Sequence, residues 1–254
     1  MTLLPVLRPM SWLAAARRDG DPGDPLAAPV WTFAGDGLVS ALTRRDDTGW
    51  RDVTAGELAT TGTSVLGAFD RATAGLIDGN RHLPAPGHTE LAADSCADST
   101  RLRFSVRPAR VLVVGAGADG GHAPGVQLGN PEGLVTSWLA HPVTLRALTE
   151  ATAAHFGDIP LYFPVSTGTL LIAPVGADGL DLLYRFARAA FLAAGTDGVS
   201  PLAYHSDGAA LRLWTPGIAR PERIHHLDAQ QLVSSGAPWA AGARYSGQGV
   251  YSPA

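Results

Sequence analysis

The chain has no lysine: all 19 residues counted as Lys or Arg are arginine. A Schiff-base lysine, a P-loop lysine and the nucleotide-pairing lysine of kinases are thereby excluded as sources of chemistry. A GC-rich genome would produce the same bias, along with the abundant Ala, Gly and Pro, and the exclusions hold whatever its cause. Cysteine is nearly as scarce. Cys96 stands alone, which rules out an internal disulfide and a multi-thiolate metal site and points to a reducing, cytoplasmic compartment. Long apolar runs are missing as well. Stretches such as Leu170–Ala173 fall far short of the roughly 20 residues that cross a bilayer. Arg8 and Pro9 interrupt the apolar start of the chain, so no secretory leader is expected. Charge is thin: 17% of residues are charged and the net charge is -4, which leaves no global case for nucleic acid or an anionic membrane as partner.

What is present suits a globular protein. The 254 residues, 46% of them hydrophobic, can bury one sizeable core as a large domain or two small ones. A short extended piece and then a helix are expected over Thr2–Arg18. Val30–Ala34 and Leu38–Thr43 read as strands joined at Gly35-Asp36-Gly37. Thr54 and Glu57 have capping-box spacing, and Leu66, Phe69, Thr73 and Leu76 continue a helical stripe that Gly79-Asn80 ends. Arg81–Thr100 is polar and proline-bearing, hence a linker or mobile loop, and a division of the chain would fall there. Leu102, Phe104 and Val106 alternate as in a half-buried strand, and Val111–Val114 suits a central one. Asn130-Pro131-Glu132 reads as one helix start and Pro142 as another, with Gly157 as a stop. A hairpin over Leu161–Val175, an amphipathic helix over Leu180–Ala194 and a second hairpin across Asp207-Gly208 complete the pattern.

These units repeat as helix and then two strands. They predict an α+β fold: an antiparallel sheet built from hairpins, with helices packed mainly on one face. Residues 1–220 form one domain in this reading, and 221–254 a weakly structured tail.

The motifs carry little chemistry. Val111–Gly120 reads V-L-V-V-G-A-G-A-D-G, a literal dinucleotide fingerprint. The glycines and Pro124 that follow cannot open the required helix, so a glycine-rich connection explains it better. Arg101, Arg103 and Arg107 would share one strand face and form an anion-binding stripe, without the interleaved aromatics that single-stranded nucleic acid needs. Trp138 and His141 are three apart and would share a helical face lining a pocket, or serve as core and helix end. His205 and Asp207 stand at a turn that Asp-Gly geometry already explains. No metal-ligand spacing, nucleophile elbow or cofactor signature is present, so no metal and no cofactor are expected.

The opening L-L-P-V-L-R-P-M-S-W-L (Leu3–Leu13), the stretch D-V-T-A-G-E-L-A-T-T-G-T-S-V-L-G-A-F (Asp52–Phe69) and the hairpin F-P-V-S-T-G-T-L-L-I-A-P (Phe163–Pro174) resemble the YtpQ-like bacterial domain of unknown function. The resemblance implies an architecture and carries over no activity and no catalytic residue. Two function classes follow from the residues. The first is a non-catalytic cytoplasmic protein that binds a partner protein, a copy of itself included, or a small ligand. The other is a lysine-independent enzyme for a small polar substrate, with His141, His205 and Asp207 as acid–base groups.

Overall fold

The computed structural model describes residues 2–19, 24–79, 89–93, 102–110, 122–129 and 134–215. Strands β1 (Leu3–Pro9), β2 (Trp31–Gly35), β3 (Leu38–Asp46) and β4 (Gly49–Asp52) form the N-terminal part, with helix α1 (Met10–Asp19) between β1 and β2. Helices α2 (Ala55–Thr60) and α3 (Val65–Gly79) follow, then β5 (Thr89–Ala93), β6 (Leu102–Arg110) and β7 (His122–Gly129). Helix α4 (Pro142–Phe156), the hairpin β8 (Pro160–Ser166) and β9 (Thr169–Pro174), helix α5 (Leu180–Ala194) and the hairpin β10 (Tyr204–Ser206) and β11 (Leu211–Leu213) complete the order.

Among the described residues, eleven strands join one sheet, ordered β1-β3-β2-β11-β10-β8-β9-β7-β6-β5, with β4 also on β3. Every pairing is antiparallel except that of β2 with β11. The α+β architecture with hairpin-built antiparallel sheet is therefore what the chain forms. Alternation sorts the central strands cleanly. Tyr162, Leu170 and Ile172 face a core shared with Leu145 and Leu148 of α4, while Leu161, Phe163, Leu171 and Ala173 face Leu183 and Ala187 of α5. Helix α5 thus covers the face opposite α4, which is why β8 is buried along its whole length.

Local signals act as expected at the helix ends. The Thr54 hydroxyl accepts the Glu57 amide at 3.3 Å and Glu57 Oε2 accepts the Thr54 amide at 3.1 Å, a complete capping box on α2. Arg51 and Arg44 also reach Glu57, and the hydrogen bonds from Arg51 lead in holding its carboxyl below the ordinary range. Gly157, at φ 66°, ends α4.

Three expectations need correction. Inside the expected linker, residues Thr89–Ala93 pair with Leu102–Val106 as β5, because Leu91 can be buried there despite polar neighbours. The glycine-rich connection contains β7, where Val126 and Leu128 alternate into the core and pair with Ile172 and Leu170. The segment ahead of Pro142 is a 3-10 turn over Val135–Leu139, all five residues buried. Cys96, Arg101, the Val111–Gly121 run, Asn130-Pro131-Glu132, the rest of 81–100 and the 221–254 tail lie outside the described residues.

Candidate functional site

The sequence-derived candidates separate when placed in the fold. Trp138 is 2% exposed and packs edge-on against Phe104, ring centroids 4.9 Å apart. It is a core residue. His141 starts α4 and does not close a preceding helix: its backbone is extended and its Nδ1 accepts the Val143 amide at 3.3 Å. An accepting Nδ1 places the neutral ring's proton on Nε2, which faces Asp70 Oδ1 at 3.5 Å. Both ring nitrogens are spent on the helix end and on Asp70.

Burial lowers the His141 pKa, and Asp70 offsets part of that effect. Unfolded chain then binds the proton more tightly than folded chain. The stabilisation is full above the ordinary histidine value of about 6.5 and is lost as pH falls below it. We expect His141→Asn, which keeps an accepting cap, to flatten this fall between pH 7 and pH 5. His141→Ala should cost about 1 kcal/mol at neutral pH. Urea midpoints across pH measure both, and a wild-type profile matching that of the Asn variant would refute the assignment.

His205 Nδ1 lies 3.4 Å from the carbonyl of its neighbour Ser206. The Asp207 carboxylate is used up in the β10–β11 turn, where it accepts the Ala209 and Ala210 amides at 2.9 and 2.8 Å and Arg212 Nε at 2.7 Å. Burial alone would raise the Asp207 pKa, but these donors outweigh it and hold it low. His205 and Asp207 therefore make no acid–base dyad. In the arginine stripe, Arg103 holds a β6 position opposite Ala92, and the exposed Arg107 donates to Gln127 Oε1 at 3.0 and 3.3 Å. Among the described residues, no three His, Cys, Asp or Glu side chains gather as metal ligands, and no helix is long and apolar enough to cross a membrane.

Sequence reasoning missed one cavity. It lies where the N-terminal strands meet the C-terminal hairpin, at the seam between β2 and β11. Gly35 makes that seam possible, because a Cβ there would lie 2.1 Å from the Leu211 carbonyl oxygen. Asp36, in the next turn, ties the two parts together by accepting the Leu213 amide at 3.0 Å and Arg212 Nη1 at 3.4 Å. Beside it opens a groove of about 360 Å³ lined by Pro9, Leu38, Val199, Leu202, Tyr204 and Leu213, with Ser200, Asp36 and Gly37. Leu202 and Leu213 are 46% and 42% exposed, and Met10, whose amide bonds Gly37, is also exposed. The one polar pair inside is Ser200 Oγ and Tyr204 OH, 3.0 Å apart. Burial raises the Tyr204 phenol, with Ser200 opposing and Asp36 adding to the rise, so it stays a neutral donor. Mostly apolar walls with the Ser200–Tyr204 pair and the Asp36 carboxylate at the edge can hold a ligand or an inserted side chain.

The chain matches no family model, no curated protein and no solved structure. The resemblance to the YtpQ-like family rests on its three quoted motifs alone.

Proposed function

We propose that this chain is a non-catalytic, cytoplasmic binding protein whose seam groove receives apolar side chains of a partner protein. The observation that carries the reading is the pair of exposed leucines, Leu202 and Leu213, on a groove that Pro9, Leu38 and Val199 also line. Large exposed apolar residues around a cavity mark interaction surfaces, because each loses water contact only when something covers it. Weighing for binding over acid–base catalysis, His141 and Asp207 spend their hydrogen-bonding capacity on a helix cap and a turn. The cytoplasmic placement rests on the single cysteine of the chain.

Replacing both leucines by aspartate tests this. In affinity capture from lysate of the source cells, wild type should retain a stoichiometric partner that Leu202→Asp/Leu213→Asp loses, with both proteins melting at a similar temperature. Light scattering on the same samples reads whether the partner is a second copy of the chain. Equal capture by the two proteins, or none by either together with a monomeric wild type, would sink the groove as a docking site.

A further inference from the structure

The seam groove, taken as the docking site proposed above, selects the chemistry of its partner. Tyr204 and Leu213 are directly paired and project from one side of the sheet, while the paired His205 and Arg212 project from the other. Tyr204 and Leu213 line the groove, and Arg212 does not. Among the described residues that line it, only Asp36 is charged.

Covering the groove removes water from its polar groups, and each must then keep a partner or raise the free energy of the complex. Ser200 and Tyr204 serve each other, with oxygens 3.0 Å apart, and Ser200 Oγ also accepts the Leu202 amide at 3.2 Å. Asp36 is less well provided. Its Oδ2 accepts the Leu213 amide at 3.0 Å, but its contact with Arg212 Nη1 is long, at 3.4 Å. Arg212 gives its shorter bond, 2.7 Å from Nε, to Asp207. A carboxylate has about four acceptor sites, so about two on Asp36 stay open, and its side chain is 45% exposed. One arginine shared by two carboxylates leaves this rim with an excess of negative charge. The charge is felt inside the groove, where burial raises the Tyr204 phenol and Asp36 raises it further.

An acidic partner would be repelled here, and a purely apolar one would strip water from the Asp36 carboxylate and put nothing in its place. A cation beside an apolar anchor meets both demands. The anchor covers Leu202 and Leu213, and a guanidinium or ammonium fills the open sites on Asp36. We propose that the groove receives a protein segment in which a large apolar residue stands beside an arginine or lysine, with Leu202 and Leu213 seating the apolar side chain and Asp36 pairing with the cation.

Selection of a random peptide library displayed on phage, against the immobilised full chain, tests this. Enriched peptides should carry a large apolar residue with a neighbouring Arg or Lys. In a synthetic copy of the most enriched peptide, replacing that basic residue by Gln should weaken binding about tenfold, and Asp36→Asn in the protein should erase the difference. Binding of the basic peptide should also weaken as salt is added. Asn keeps an oxygen for the Leu213 amide, and the substitution in the peptide decides the matter if the Asp36→Asn protein fails to fold. Enriched peptides that are apolar and uncharged, and that Leu202→Asp/Leu213→Asp no longer binds, would overturn the basic requirement and leave the groove standing. Basic peptides held equally by that double variant, or no enrichment at all, would overturn the groove as well.

Discussion

Trp138→Ala should lower the free energy of unfolding by about 3–5 kcal/mol, the range for deleting a large buried aromatic. The side chain is 2% exposed and sits in a core that spans β1, β6, β9 and α4, so no single neighbour can collapse into the space it leaves. Its edge-on contact with Phe104 adds about 0.5–1.5 kcal/mol beyond area alone. The backbone gives little relief, because Trp138 belongs to a 3-10 turn whose five residues are all buried. Urea denaturation measures the loss, which should appear as a shifted midpoint at unchanged slope. A loss under about 1 kcal/mol, matching that expected for His141→Ala, would mean that Trp138 faces a pocket after all.

That contrast between residues three apart shows how far periodic reasoning reaches. Trp138 and His141 share a helical face only if one helix runs through both, and the Pro142 signal places the boundary between them. Strong local signals were legible: the Thr54–Glu57 capping box, the apolar stripes of α3 and α5, Gly157, and the hairpins around Thr167-Gly168 and Asp207-Gly208 all appear in the fold. Strands β5 and β7 were not, since polar or glycine-rich sequence hides an alternation only two or three residues long. A neighbouring strand makes such a segment a strand, and that neighbour is named by tertiary contact alone.

The candidate site was hidden for a related reason. The groove depends on β2 meeting β11, a parallel contact between the two ends of the described chain that no local pattern announces. Arg8 and Asp52 meet diagonally across β3. Each looks alone like an ordinary charge on an amphipathic strand, and only the register puts Trp31 and Trp50 on the same face. What was visible was the weakness of the alternatives. Asp207 beside Gly208 is turn chemistry, and its three hydrogen bonds bear that out.

Glycine content was equally ambiguous until contacts sorted structural glycines from neutral ones, and a paired substitution measures the difference. Gly125 has φ +114°, and a Cβ there would lie 2.2 Å from the Ile172 carbonyl oxygen and 3.0 Å from Ala173 Cβ. Backbone oxygen cannot step aside, because Ile172 is held in register opposite Val126. We expect Gly125→Ala to cost about 2–6 kcal/mol, from backbone strain together with overpacking. Gly75 lies inside α3 with nothing within 4 Å of its added Cβ. There the same substitution removes conformational freedom from the unfolded chain at no steric cost, and Gly75→Ala should stabilise by about 0.5–1 kcal/mol. Thermal and urea unfolding of the two variants should therefore move in opposite directions. A Gly125→Ala variant as stable as wild type would show that β7 does not approach β9 as closely as the Val126–Ile172 register requires.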